Sequence, residues 1–345
     1  MAANTLIGLD IGSTSIRAAE TQRAKDGPII ANFGHVALPT GAVQGGVVTD
    51  EKTVTGALKQ LWATRKFSGK RVVLGLTNPQ VVVREMAVTN VPRQELRKSL
   101  PFQVRDALPL PVEKSLLDFF PLEDPGTNET VRGLLIAAPK EAVLGAVRAT
   151  ERAGLHVTRV DLASFALLRA VSRLDEQVEA IIDIGARATS VVVHVNGEPL
   201  IVRTIPRGGA EITETIAARL SITVPDAEAL KCEMGLRGED DHETADVIRE
   251  AVRPLISEIR SSFAYLTAGE RHSRVARLAL SGGGAMLPGL HDALKNQLGV
   301  DVELADPIMR LRGLRRVKHG SLETVRSAAT VAIGLALTSA MAGAR

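Results

Sequence analysis

Apolar and polar positions along the 345-residue chain follow two rhythms, one of period two and one of period 3.6. Leu6, Ile7 and Leu9 run into Asp10-Ile11-Gly12-Ser13-Thr14-Ser15, and an alternating run with Ile16 and Ala18 leaves it, which reads as strand, tight turn, strand. Strand material continues over 29–38, and a loop over 43–50 ends at Asp50. Asp50 caps a helix with Val54, Leu58, Leu61 and Trp62 on one face. Strands follow over 71–76 and 81–89. From 93 to 108 the period turns helical, with Pro101 expected to bend or split the helix and Pro109-Leu110-Pro111 to end it. Strands over 116–122 and 131–138 and a helix over 140–153, stopped by Gly154, complete this region.

A strand over 156–161 and an apolar helix over 162–174 lead to an echo of the first stretch. Ile181-Ile182-Asp183-Ile184-Gly185-Ala186-Arg187-Ala188-Thr189-Ser190-Val191 again reads as strand, Asp-Ile-Gly, small residues, strand. Another strand is expected over 198–205 and helices over 211–220, after Pro225-Asp226 and over 244–269. A strand over 275–280 enters Ser281-Gly282-Gly283-Gly284. A helix over 288–298, a strand over 302–304 and a terminal helix from Ser321 finish an α/β chain. The stretch 90–154 reads as an inserted module of helix, two strands and helix, the alternative being further layers of the first domain.

The turns carry the candidate chemistry. Gly12 permits close approach to a ligand, and the N–H groups of Ser13, Thr14 and Ser15 can converge on a phosphate. Asp10, at the mouth of the turn, suits a magnesium ion held through water. Asp183, Gly185, Ala186 and Thr189 repeat the arrangement half a chain later, so the two hairpins are expected to face each other across a nucleotide. Arg187 in the second turn either touches a phosphate or points to solvent. Gly208 and Gly209 open a helix that carries Thr213, a feature shared by phosphate sites and ordinary helix starts. Glu228 and Lys231 lie three apart on one helix face, where a surface ion pair is the plain alternative. Gly282, Gly283 and Gly284 suit backbone pressed against a flat purine, with Met286 either on the base or in the core.

Composition narrows the classes. With 45% hydrophobic and 23% charged residues the balance is that of an ordinary globular chain, long enough for two domains. Only 3% of residues are aromatic and the net charge is +3, which argues against a stacking platform or any nucleic-acid partner. The single cysteine, Cys232, excludes an internal disulfide and is expected to be an inert, partly buried thiol. The first residues run straight into a strand, and the apolar stretch 325–342 is short and interrupted, so a cytoplasmic protein is expected. The basic run Arg310, Arg312, Arg315, Arg316, Lys318, His319 is expected to be a solvated loop, the alternative being a contact for acidic lipid or a partner.

Asp-Ile-Gly, Asp-Ile-Gly and Ser-Gly-Gly-Gly in that order resemble the superfamily of actin, heat-shock chaperones and sugar kinases. The resemblance implies a duplicated, ribonuclease H-like ATP-binding fold in which Glu228 and Lys231 border adenine and ribose. Leu100-Pro101-Phe102-Gln103-Val104-Arg105-Asp106-Ala107-Leu108-Pro109-Leu110-Pro111, Leu135-Ile136-Ala137-Ala138-Pro139-Lys140 and Arg203-Thr204-Ile205-Pro206-Arg207-Gly208-Gly209 are similar to the PilM family of type IV pilus assembly proteins. That family is related to the cell-division protein FtsA. The likeness implies ATP (or ADP) with Mg2+ in the cleft and an FtsA-type inserted subdomain. It also implies capture of the N-terminal cytoplasmic peptide of PilN, a single-span membrane protein, which recruits the chain to the inner membrane. Phe102, Val104, Arg105, Leu108 and Leu110 are the expected groove residues. A pilus motor ATPase is left open as a second partner. Asp161 is the candidate acid for hydrolysis, and Leu162 stands where the chaperones carry glutamate, so at most weak ATPase activity is implied. An FtsA-like filament and a small-molecule kinase are the alternatives. The implied units are a first subdomain over 1–89 with 155–177 and 321–345, and the insert over 90–154. A second subdomain covers 178–207 and 272–320, and a helical lid covers 208–271.

Overall fold

Each Asp-Ile-Gly stretch folds as a hairpin in the middle of a five-stranded sheet. The computed structural model describes residues 6–124, 126–237, 242–268, 274–312 and 326–338. The first part of the chain forms β1 (Ile7–Ile11), β2 (Ser15–Ala24), β3 (Gly27–Ala37), the two-residue strands β4 (Val43–Gln44) and β5 (Val47–Val48), α1 (Glu51–Arg65) and β6 (Arg71–Leu76). There follow β7 (Val82–Thr89), α2 (Arg93–Gln103), β8 (Ser115–Pro121), β9 (Thr130–Pro139), α3 (Lys140–Arg152), β10 (His156–Leu162) and α4 (Ala163–Val171). The rest comprises β11 (Val178–Ile184), β12 (Thr189–Val195), β13 (Glu198–Ile205), α5 (Gly209–Leu220), α6 (Val224–Met234) and α7 (His242–Ala268). Last come β14 (Arg277–Ser281), α8 (Leu290–Leu298), β15 (Asp301–Leu304) and α9 (Thr330–Ala336).

The two large sheets run β10-β6-β1-β2-β3 and β13-β12-β11-β14-β15. In each, a hairpin strand pairs antiparallel with its successor and parallel with a later strand, β1 with β6 and β11 with β14. The registers match as well: Asp10 lies opposite Arg17 and Ile11 opposite Ile16, as Asp183 lies opposite Ser190 and Ile184 opposite Thr189. The same local turn chemistry has therefore produced the same hairpin geometry twice.

Packing follows from which faces are apolar. Asp50 accepts from the Thr53 amide at 3.0 Å and starts α1, whose Val54, Leu58 and Leu61 are buried on the first sheet. Burying each such side chain stabilises the fold by about 1.5–3 kcal/mol. Helices α5 to α8 cover the second sheet. Between the sheets lie α4 and α9, sharing one core with Val73 on one side and Ile181 and Val192 on the other. Glycine makes that fit possible: a Cβ on Gly8 would sit 2.0 Å from the Ala332 carbonyl oxygen, and one on Gly334 1.9 Å from that of Ala166. Among the described residues no helix is long and apolar enough to cross a membrane.

A third sheet, β7-β9-β8, has α2 packed on it and shares a further core, through Val83 and Ala138, with Leu76, Val143 and Leu162. Strand β7, placed by its sequence before position 90, belongs to this small sheet, whereas α3 packs with its Ala146 and Ala149 in the core under the first large sheet. Helix α2 runs through Pro101 and ends two residues later at Gln103, so the proline sits in the last turn rather than splitting the helix. After Gly282 the backbone makes a 3-10 turn over Gly283–Met286, and α8 begins only at Leu290. The basic run is not simply solvated. Arg310 donates to the Ser172 hydroxyl at 2.9 Å and to carbonyls ending α4, and the Arg312 amide donates to the Pro28 carbonyl at 2.9 Å. Arg315, Arg316, Lys318 and His319, and the start of the terminal helix at Ser321, lie outside the described residues.

Candidate functional site

The site is built at the ends of β1 and β11. Gly12 donates to the Ser15 carbonyl at 3.0 Å and Gly185 to that of Ala188 at 2.9 Å, closing the two turns. In the first turn the amides of Ser13 and Thr14 have no acceptor among the described residues, which leaves two donors available, as an anion cradle requires. Arg17, which the sequence reading missed, faces Asp10 across the hairpin with its guanidinium 3.2 Å from the carboxylate. Counting the register of the hairpin would have found it. Burial pushes the Asp10 carboxyl above its ordinary value despite the opposing pull of Arg17.

Asp183 is the more perturbed acid. Burial pushes it up to about 6, Asp10 adds to the push, and the Ser281 hydroxyl and Arg17 oppose it. The Asp10 charge therefore reaches Asp183, and a cation joining them would relieve both. Among the described residues no three His, Cys, Asp or Glu side chains form a metal cluster. An ion at this pair would take the rest of its shell from water and phosphate, as Mg2+ commonly does.

The second turn is used differently from the first. The amides of Gly209 and Ala210, at the start of α5, donate to the carbonyls of Gly185 and Ala186 at 2.9 and 2.8 Å. Gly208 fits there because a Cβ would lie 2.4 Å from the Gly185 oxygen. Thr189 is buried, its hydroxyl donating to the Arg207 carbonyl at 2.8 Å, so it braces the turn from behind. Arg187 pairs with Glu214 of α5, and both side chains are partly open to solvent.

Lys231 is buried under α5, and its ammonium donates to the Gly209 carbonyl, the Thr213 hydroxyl and Glu228 at 3.1, 2.7 and 2.6 Å. Those contacts use all its donors. Its place is to fix Thr213 and Glu228 at the helix start, not to reach a ligand with an N–H. Although burial opposes it, Lys231 and Thr213 hold Glu228 below its ordinary value, and its outer oxygen stays at the surface. Cys232 is exposed, not partly buried, yet desolvation and the charge of Glu228 push its thiol up.

The triple glycine divides its labour. Gly282 adopts φ +85° with its α-carbon against Ile184, and a Cβ on Gly284 would strike the Ile184 side chain at 2.3 Å. Only Gly283 faces open space. Two of the three glycines thus serve packing of the turn against β11, and one is free for a planar ligand. Met286 is 59% exposed beside it.

Two expected residues fall elsewhere. Asp161, two strands from Asp10, is held by Arg169 at 2.5 Å, and Arg169 also donates to the Gly334 carbonyl at 3.0 Å. Its carboxylate ties β10 to α4 and α9 and is not poised as a base. Val104 is completely buried with Val88, Leu100, Val131 and Leu135, so it belongs to the core of the small sheet and not to a partner surface. Leu108 packs partly on that core, Leu110 is half-buried, Arg105 is exposed, and Phe102 is 75% exposed.

Residues 8–340 match the family model described as type IV pilus assembly protein PilM. A solved structure of a PilM-PilN type IV pilus biogenesis complex superposes with a TM-score of 0.86 at 28% identity, covering 96% of this chain and 97% of that one. The cell division protein FtsA of Bacillus subtilis (strain 168) is 23% identical over 87% of this chain and 78% of its own length. The structure of MreB 5 of Spiroplasma citri bound to AMPPNP covers 100% of this chain and 98% of its own, with a TM-score of 0.58 at 13% identity, which shows the fold alone. The fold is actin-like, with duplicated halves.

Proposed function

Because this chain belongs to the PilM family of type IV pilus assembly proteins, we propose that it is a nucleotide-binding adaptor of the pilus assembly platform. It works in the cytoplasm at the inner face of the membrane, and it holds ATP or ADP with Mg2+ between its two halves. The observation that carries this reading is the matched pair of turns, with Asp10 and Asp183 at the same place in each and the Asp10 charge reaching Asp183. The donor set fits. Ser13, Thr14 and Arg17 offer N–H groups to phosphate, Asp10 and Asp183 hold the ion through water, and Gly283 leaves room for a flat base. Magnesium supplies charge neutralisation and fixes the phosphates in one orientation. Glu228, positioned by Lys231 and Thr213, accepts from a sugar hydroxyl.

The partner is the N-terminal tail of a PilN-type single-span membrane protein, bound extended at the small sheet. Phe102, with Leu110 and Arg105 nearby in sequence, offers the apolar and charged contacts. The peptide-binding unit is 82–139, because β7 is part of its sheet and α3 is not. Single replacements are therefore the proper test, since removing α3 would strip the first half of core residues. A synthetic peptide of the tail, titrated calorimetrically, should bind the full chain and lose affinity in Phe102→Ala and Leu110→Ala, while Mg-ATP still raises the melting temperature of both variants. Unchanged peptide affinity in both variants would place the groove elsewhere.

A further inference from the structure

One row of polar residues crosses the second sheet in register: Ser281 on β14, Asp183 on β11, Ser190 on β12 and Thr204 on β13. Residues directly opposite one another in a ladder project from the same face. The row therefore begins beside the cleft carboxylate and ends at the outer strand, where a cavity of about 10 Å3 lies. Its lining comes from three parts of the molecule. Ser190 and Thr204 belong to the second sheet, Ser164 to the first turn of α4, and Thr77, Asn78 and Val83 to the turn and strand that enter the small sheet.

Two of these hydroxyls are unaccounted for. Ser164 is 5% exposed and Ser190 2% exposed, and neither side chain has a hydrogen-bond partner among the described residues. Asn78, also buried, is fixed by donating to the Gly45 carbonyl at 2.9 Å and accepting from the Gln80 amide at 2.8 Å. Neither serine oxygen is fully enclosed, so both keep accessible surface on which a water in the cavity can pair them. A space of this size holds one water, which typically makes about three hydrogen bonds. The chemistry of the lining matches that ligand: several short polar groups converge on it from different elements, with no charge and no room for a larger molecule.

We propose that this junction is an ordered-water site that ties the second sheet to α4 and the small sheet, and that it transmits the state of the cleft to the small sheet. Ser190 is the cross-strand partner of Asp183, so a shift of β11 on closing around a ligand moves Ser190 and the water with it. A water bridge can break and re-form without the repacking a dry contact demands. The transmission half rests on the nucleotide reading above; the water site does not.

Two measurements on the full chain test it. Melting curves without nucleotide are compared for Ser164→Ala, Ser190→Ala and the double variant. A shared water predicts that the double variant loses less than the sum of the single losses, because either change alone already strips the water of a partner. Strictly additive losses overturn the shared site. Hydrogen exchange is then followed in residues 77–89 with and without Mg-ATP. Mg-ATP should slow it about fivefold or more, the lower end of ordinary site-to-site coupling. Ser190→Ala should still gain thermal stability from Mg-ATP yet lose that slowing. Full slowing in Ser190→Ala overturns the transmission. Absence of any Mg-ATP stabilisation in the wild-type chain refutes the nucleotide reading and with it the transmission, while the melting series still decides the water site.

Discussion

Replacing Asp183 by asparagine isolates the electrostatic strain of the cleft. In the native chain burial holds the Asp183 carboxyl up to about 6, against 3.8 ordinarily. Between those values the native state keeps a proton that the unfolded chain has released, so stability falls as pH rises from about 4 to about 6 and stays low above. At about 1.4 kcal/mol per pH unit the gap corresponds to about 3 kcal/mol, a ceiling because the carboxylate is partly open to the cleft. For 345 residues the unfolding entropy is about 0.7 kcal/mol per degree, so the variant should melt up to about 4 °C above the wild type near pH 7.5. The difference should shrink as pH falls and reach zero only near about pH 3, below the ordinary carboxyl value, where the Asp183 group is neutral in both the folded and the unfolded chain. Mg-ATP at about 1,000 times its Kd should invert the order, since it adds about 4.1 kcal/mol to the wild type alone. Differential scanning fluorimetry across pH, with and without Mg-ATP, reads all three effects. If the Asp183→Asn variant melts with or below the wild type near pH 7.5, or the gap is constant with pH, the carboxylate is not strained by burial and the cation argument fails.

The two glycine roles separate cleanly: Gly282→Ala, at φ +85° against Ile184, should cost about 2 kcal/mol or more in chemical denaturation, while Gly283→Ala should melt like wild type but bind Mg-ATP more weakly. Val104→Ala should destabilise the chain by about 2 kcal/mol through a core cavity, whereas Phe102→Ala should leave the denaturation midpoint unmoved. Phosphate release should run far below the roughly 10 per second of a median enzyme, because Asp161 is held by Arg169; turnover near that median, abolished by Asp161→Asn, would refute this. Alkylation of Cys232 should be slow at neutral pH despite its exposure and quicken only in alkali; rapid labelling near pH 7 would contradict the raised thiol.

What the amino-acid order determined alone was local. Asp-Ile-Gly followed by small residues formed a hairpin at both places where it stands, and Asp50 starts α1 because the cap acts within three residues. Repetition of one device half a chain apart was enough to imply the duplicated fold. Contacts across long separations were decided by the tertiary structure. The Arg169 that neutralises Asp161 also binds the carbonyl of Gly334, 165 positions away, and the Ile184 that demands Gly282 and Gly284 lies on another strand. Phe102 and Val104 differ by two positions and look equally apolar in the chain. Only the packing of α2 on β9 buries one and exposes the other. Period and turn chemistry are read from neighbours in sequence, whereas burial and ion pairing depend on which distant surface arrives to cover a side chain.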